Sequence, residues 1–194
     1  MVVKGIKKIT NKNIEDGELI TKKDFLTHKE ATEFWYLTNT CEWTYGGIWH
    51  SGMDTYSGQK ESRFFRPFDV NVFVQTDLWA RLKNLFQNKL ILGKSYINYS
   101  DHASVNLPHC DGDAAGPTIM ICLNQEWKKV WGGYTVLFES MNSNNVTHTV
   151  VPEPGKVAIF NGGVWHSGVP IAHFADYPRF MLTLHCSLDK GETN

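Results

Sequence analysis

Apolar positions along this chain follow two different rhythms, and the change falls near residue 90. Over residues 22–40, TKKDFLTHKEATEFWYLTN, the positions Phe25, Ala31 or Thr32, Phe34, Trp35 and Leu37 fall near one face of a 3.6-residue period. This predicts a helix, capped by Thr21 or Asp24. Residues 75–89, QTDLWARLKNLFQNK, predict a cleaner amphipathic helix through Leu78, Leu82, Leu85 and Phe86. Residues 42–68 between them are rich in Gly, Ser and aromatic side chains and show neither period. So long an irregular stretch in a compact domain is either functional or holds short strands.

Beyond residue 90 the period becomes two. KSYINYS, PTIMICLN, GYTVLFES, VTHTVVP, KVAIFNG and RFMLTLHCSL are short runs of β-branched and aromatic residues, punctuated by Gly, Pro, Asn and Asp. That is the pattern of a sandwich or barrel. No second break in composition follows. The chain therefore reads as one domain over residues 1–194, mainly β, with an N-terminal helical layer and aromatic loop (1–89) on a β core (90–188).

Composition narrows the class. Hydrophobic residues make up 42% of the 194 and charged residues 20%, ordinary for a globular protein. A net charge of −1 and a pI near 6.7 argue against a nucleic-acid partner, since no strong field draws the chain to phosphate. The lysines at positions 4, 7, 8 and 12 read as a solvated tail. No apolar run approaches the ~20 residues of a membrane span. MVVKGIKKIT lacks the apolar stretch of a secretory leader, which predicts a cytoplasmic chain with its four dispersed cysteines reduced.

Candidate chemistry begins at NLPHCDGD. Side chains at i and i+2 of an extended segment share a face, so His109 and Asp111 can converge on one point. Eight His and ten Asp in 194 residues give about 0.4 His-x-Asp pairs by chance, so the pair alone reads as a surface turn. Its weight comes from order. The pair follows the strand KSYINYS, His166 returns several strands later, and Arg179 then opens RFMLTLHC. Two histidines and a carboxylate are the set that holds non-haem Fe(II) by one octahedral face and leaves three positions open. Arg179 offers a planar fork for a carboxylate; taken alone it would read as a surface salt bridge. Thr183 lies on the same strand face, and Tyr99 offers a phenol on the strand leading to His109. An iron beside a carboxylate clamp describes a site for 2-oxoglutarate.

Residues 96–188 resemble the core of the Fe(II)/2-oxoglutarate-dependent oxygenases, most of all their prolyl 4-hydroxylase branch. The stretches that carry the resemblance are YINYSDHASVNLPHCDGD, TIMICLNQEWKKVWGGYTVLF, PGKVAIFNGGVWHSGVP and PRFMLTL. It implies a double-stranded β-helix, a distorted jelly roll, with helices on one side. It places His109, Asp111 and His166 as iron ligands, Arg179 on the distal carboxylate of 2-oxoglutarate, and Tyr99 and Thr183 in support. Trp131-Gly132-Gly133 matches a turn into a pocket-lining strand. The implied activity hydroxylates a C–H bond with release of succinate and CO2, using O2 and, as a reductant, ascorbate. The implied substrate is a prolyl residue of a peptide, or a related small amino-acid-like molecule. The same chemistry on a nucleic-acid base, and a cupin-like metal protein that does not use 2-oxoglutarate, remain as alternatives. Asp111 speaks against a halogenase, which needs a small residue there. Two departures stand out: Cys122 sits where an animal relative has a co-substrate-binding tyrosine, and IAHFADY lengthens the interval from His166 to Arg179.

GGIWHSG at 46–52 nearly repeats GGVWHSG at 162–168, and each histidine precedes an Arg-Phe pair. Order decides between them. A distal ligand must follow the His-x-Asp strand, and His50 precedes it. Upstream, His28 and Glu30 sit in a predicted helix, where residues two apart point about 200° from each other. His50 is therefore expected to be a loop residue or a substrate contact. Within residues 43–66, Trp43, Tyr45, Trp49 and Tyr56, with Arg63 or Arg66, could form a substrate lid or could simply cover the sheet.

Overall fold

The computed structural model describes residues 8–46, 63–104, 106–111 and 116–189. The expectations for Trp49, His50 and Tyr56 lie outside these residues, as do the side chains of Tyr45 and Arg63. Helices are α1 (Asn11–Glu15), α2 (His28–Thr40), α3 (Val70–Phe73) and α4 (Asp77–Leu85). Strands are β1 (Ile20–Lys22), β2 (Thr44–Gly46), β3 (Arg63–Pro67), β4 (Leu90–Ser100), β5 (Pro117–Cys122), β6 (Thr135–Phe138), β7 (Val146–Val150), β8 (Val157–Asn161), β9 (His166–Gly168) and β10 (Arg179–Leu188).

Local chemistry sets the helix ends, and it corrects one expectation. The cap of α2 is Thr27, not Thr21 or Asp24. The Thr27 hydroxyl accepts from the Glu30 N–H at 3.2 Å, and the Glu30 carboxylate accepts from the Thr27 N–H at 2.8 Å. This reciprocal cap satisfies two end donors at once and fixes the start at His28. Thr21 lies in β1 instead, and Asp24 takes a left-handed turn at φ 52°. Helix α4 is capped by Thr76 and stops at Leu85, because Gln87 and Asn88 adopt φ of 54° and 66°. Arg81 of α4 grips the Glu30 carboxylate at 2.6 and 2.9 Å, tying the two helices together.

Among the described residues, ten strands make two antiparallel sheets. One has seven strands in the order β1-β8-β5-β10-β4-β3-β2, the other three in the order β7-β6-β9. The irregular stretch 42–68 thus holds two short strands at an edge of the large sheet, and β1 forms its other edge. Strand β10 shows how sequence period becomes two environments. Phe180, Leu182 and Leu184 pack outward with Leu78, Leu82 and Leu85 of α4 in the larger apolar core. Met181 points inward with Met120, Cys122, Ala158 and Phe160 of the large sheet, against Leu137 and Val150 of the small one. The two sheets therefore face each other across an interior that the inward residues line. A mainly β chain with N-terminal helices and a jelly-roll core is what the sequence predicts and what is observed. Among the described residues, no helix is long and apolar enough to cross a membrane.

Candidate metal and co-substrate site

His109, Asp111 and His166 come together at one end of this interior. Residues 109 and 166 pair as an antiparallel bridge, with both backbone N–H groups donating across it at 2.9 and 2.8 Å. The Asp111 N–H donates to the Gly162 carbonyl at 2.8 Å, which extends the same alignment. The ligand atoms of all three residues lie within 4.8 Å of one another. His109 Nε2 is 3.8 Å from Asp111 Oδ1, and His166 Nε2 is 3.6 Å from Oδ2.

The histidines are prepared alike. Each Nδ1 faces a backbone carbonyl two residues upstream, Leu107 at 2.7 Å for His109 and Val164 at 2.9 Å for His166. A carbonyl can only accept, so Nδ1 carries a hydrogen, and Nε2 is the nitrogen turned toward the shared point. Burial pushes the Asp111 carboxyl up. The charges of His166, His185 and His109 and the Thr118 hydroxyl outweigh this and bring it down to about 2, so it stays an anion at neutral pH. One carboxylate and two imidazoles that present Nε2 suit a divalent cation of the iron type.

Arg179 opens β10 and turns into the same interior, 4% exposed. It donates to the Gly133 carbonyl at 2.5 Å and to the Ser100 hydroxyl at 3.5 Å, and its Nε has no hydrogen-bond partner. No carboxylate among the described residues pairs with it, and burial pulls the guanidinium down to about 10. Glycines make the space. A Cβ on Gly168 would lie 2.7 Å from Arg179 Nη2. One on Gly133, already at φ 68°, would lie 2.9 Å from both Ile171 and Trp127. The extra IAHFADY length folds over this turn. Ala172 N–H donates to the Trp131 carbonyl, and Tyr177 packs edge-on against Trp35 and Trp131.

Register sorts the remaining expected residues. Thr183 faces inward, 5% exposed, and accepts from Asn98 Nδ2 at 3.3 Å. Tyr99 does not reach the site, which corrects the sequence expectation. It pairs with Phe180, so it shares the outward face, where it packs against Trp43, Phe64 and Phe180. Its inward neighbours on β4 are Tyr96, Asn98 and Ser100, paired with Thr183, Met181 and Arg179. Asn98 lines the same cavity, and its Oδ1, like Arg179 Nε, is buried without a hydrogen-bond partner. Trp43 covers the outward side of the sheet, stacked on Phe180 at 5.5 Å, and Arg66 is exposed. Cys122 faces inward in register with Met181, but burial pushes its thiol up to about 12 and it stays a neutral, apolar lining group. Sequence reasoning passed over His185 as well. It stands on the inward face of β10, its Nε2 3.4 Å from Asp111 Oδ1. Its parity with Arg179 and Thr183 was the available signal.

No protein-family model matches the sequence, and no curated protein matches it. Solved structures share its fold. A prolyl-4-hydroxylase from Pseudomonas putida aligns with a TM-score of 0.61 at 16% identity, over 93% of this chain and 97% of that one. A prolyl hydroxylase from Trichoplax adhaerens, solved with a peptide fragment of the hypoxia inducible factor oxygen degradation domain, gives 0.64 at 16% identity, over 93% and 87%. The non-haem α-ketoglutarate-dependent epimerase SnoN of nogalamycin biosynthesis gives 0.59 at 16%, over 91% and 82%. The chain shares the jelly-roll fold of solved 2-oxoglutarate- and Fe(II)-dependent oxygenases, prolyl 4-hydroxylases among them, with a His-Asp-His set at one end of its interior.

Proposed function

We propose that this protein is an Fe(II)- and 2-oxoglutarate-dependent oxygenase, and that it hydroxylates a prolyl residue of a peptide or a related amino-acid substrate. The observation that carries the reading is Arg179. A buried guanidinium without a carboxylate partner is costly, and it persists where a ligand's anion completes it. It lines the same cavity as His109, Asp111 and His166, so one oxo acid could meet the metal and the clamp together. His109, Asp111 and His166 would hold the iron. Arg179, with Ser100 beside it, would hold the far carboxylate, and Thr183 and Asn98 would line the path between. When bound, iron and 2-oxoglutarate supply the oxidation of a C–H bond, with release of succinate and CO2. The protein's share is to position the groups and keep them dry.

Hydroxylation of a prolyl unit rests on the fold neighbours. The Trichoplax enzyme binds a peptide, whereas SnoN is an epimerase on the same fold, and a fold does not dictate a reaction. A net charge of −1 speaks against a nucleic-acid substrate. All four cysteines are free, which suits a reducing, cytoplasmic setting. The test is succinate release from 2-oxoglutarate across prolyl peptides, free amino acids and oligonucleotides. Stimulation by prolyl peptides is expected; stimulation by oligonucleotides alone would overturn the substrate class.

Gly168 provides a finer check. Gly168→Ala should fold normally, because the intruding methyl meets only side-chain atoms, the end of Arg179 at 2.7 Å and the Asn106 amide at 3.2 Å. Displacing one charge-assisted hydrogen bond costs ~1.5–3 kcal/mol, so the 2-oxoglutarate requirement should rise about 10- to 100-fold. Steady-state titration of the co-substrate measures this.

A further inference from the structure

Three imidazoles surround Asp111, and the third stands outside the candidate metal set. His185 stands outside the set whose ligand atoms lie within 4.8 Å of one another. Its Nε2 is 3.4 Å from Asp111 Oδ1 and 2.8 Å from the Tyr96 hydroxyl, with the two rings 5.4 Å apart. With the hydrogen on Nε2, this ring donates toward the Asp111 and Tyr96 oxygens. The other carboxylate oxygen, Oδ2, accepts from the Thr118 hydroxyl at 2.5 Å. Asp111 thus meets the Thr118 hydroxyl at Oδ2 and the His185 ring at Oδ1.

We propose that His185, seated against Tyr96, is a positioning residue of the metal centre that orients Asp111 through Oδ1. The proposal rests on the iron-site reading above. Three features support it beyond the distance. Thr118 and His185 face each other in register on β5 and β10, so the two donors come from adjacent strands of one sheet. The His185 side chain is only 16% exposed, so little water competes for the contact. Finally, β10 carries Arg179, Thr183 and His185 on one face, so a single strand holds the anion clamp and the support of the metal ligand in fixed relation.

Metal titration of the full chain tests this without turnover. Metal-free protein is titrated anaerobically with Fe(II), and with Co(II) as a visible-absorption probe. Removing the outer partner of a metal ligand typically weakens binding 10–100-fold, and His185→Phe should fall in that range with shifted Co(II) bands. His185→Gln places an amide N–H near the lost Nε2–H and should recover most of the affinity. Tyr96→Phe, which removes the seat, should give a smaller loss. Melting temperatures in chelator separate any loss of folding, and where His185→Phe unfolds, the Gln and Tyr96→Phe variants decide. A folded His185→Phe with unchanged affinity and bands, or a Gln variant no better than Phe, overturns the proposal. Failure of the unsubstituted protein to bind either metal would instead overturn the metal centre itself.

Discussion

Arg179→Ala should raise the 2-oxoglutarate requirement by roughly 10²- to more than 10³-fold while leaving iron affinity nearly unchanged. The magnitude follows from leaving a buried carboxylate unpaired, which costs ~3–5 kcal/mol, at 1.36 kcal/mol per tenfold. Lys should rescue only in part, because a point charge cannot reproduce the fork that already reaches Gly133 and Ser100. A second measurement separates a clamp from a structural ion pair. Burial lowers the guanidinium to about 10, so its folded value lies below its unfolded one, and its charge costs stability at every pH below that value. A structural Arg would repay that cost with an acidic partner, and no described carboxylate pairs with this one. Arg179→Met, which keeps the volume and drops the charge, should therefore leave the melting temperature of the ligand-free protein unchanged or raised. A marked fall in that temperature with an unaltered 2-oxoglutarate requirement would remove the clamp and, with it, the observation on which the proposed function rests.

What could be read from the sequence, and what could not, divides along a physical line. Strand β10 was legible because ten alternating residues meet two different environments, and the helix α4 because its face is buried in the same way. His109, Asp111 and His166 were legible because their order mirrors the order of the strands that bring them together. Strands β2 and β3, three and five residues long, stand in a stretch rich in Gly, Ser and aromatic residues without alternation, so residues 42–68 read as irregular, and β1, three residues long, is too short to display a period. Tyr99 was misplaced for a subtler reason. KSYINYS carries tyrosines at 96 and 99, and only the register against β10 tells which faces inward; a slip of one residue exchanges the faces. The same register decides that Asn98, not Tyr99, neighbours Thr183. His185 needed both the parity of β10 and the distant location of Asp111. Neither is a local property of the chain.

The inward face of β10 and its neighbours also sets the surroundings of Cys122. Asn98, Met181 and Cys122 lie in one rank across three strands. The thiol, held neutral by burial, leaves the polar contacts of that rank to Asn98, whose Oδ1 is without a partner. The polar track runs down the β4–β10 seam, from Ser100 and Arg179 past Asn98 and Thr183 to Tyr96 and His185.

Iron binding itself should disappear with any one of the three ligands. Anaerobic Fe(II) with 2-oxoglutarate should give the weak visible charge-transfer band of a chelated oxo acid, and His109→Ala, Asp111→Ala and His166→Ala should each abolish it. Loss of an outer partner alone typically costs 10–100-fold in affinity, so loss of a ligand should exceed about 100-fold. Asp111→Asn is the sharpest of the series, since it keeps the shape and removes the only anion among His109, His166 and His185. It should fail to bind iron at neutral pH, where the native carboxylate, held down to about 2, is fully ionised. The linkage has a definite sign. A carboxyl whose folded value is depressed stabilises the fold above its unfolded value, near 3.9, and that contribution is lost as pH falls toward about 2. Between neutral pH and about pH 4, Asp111→Asn should therefore be less stable than the native protein without metal, and the gap should narrow on further acidification. His50→Ala, changed upstream of the His-x-Asp strand, should keep the band at full strength. A His50 variant that lost iron while His166→Ala retained it would reverse the ligand assignment, and with it the inference that strand order, rather than the repeated GGxWHSG sequence, decides which histidine binds.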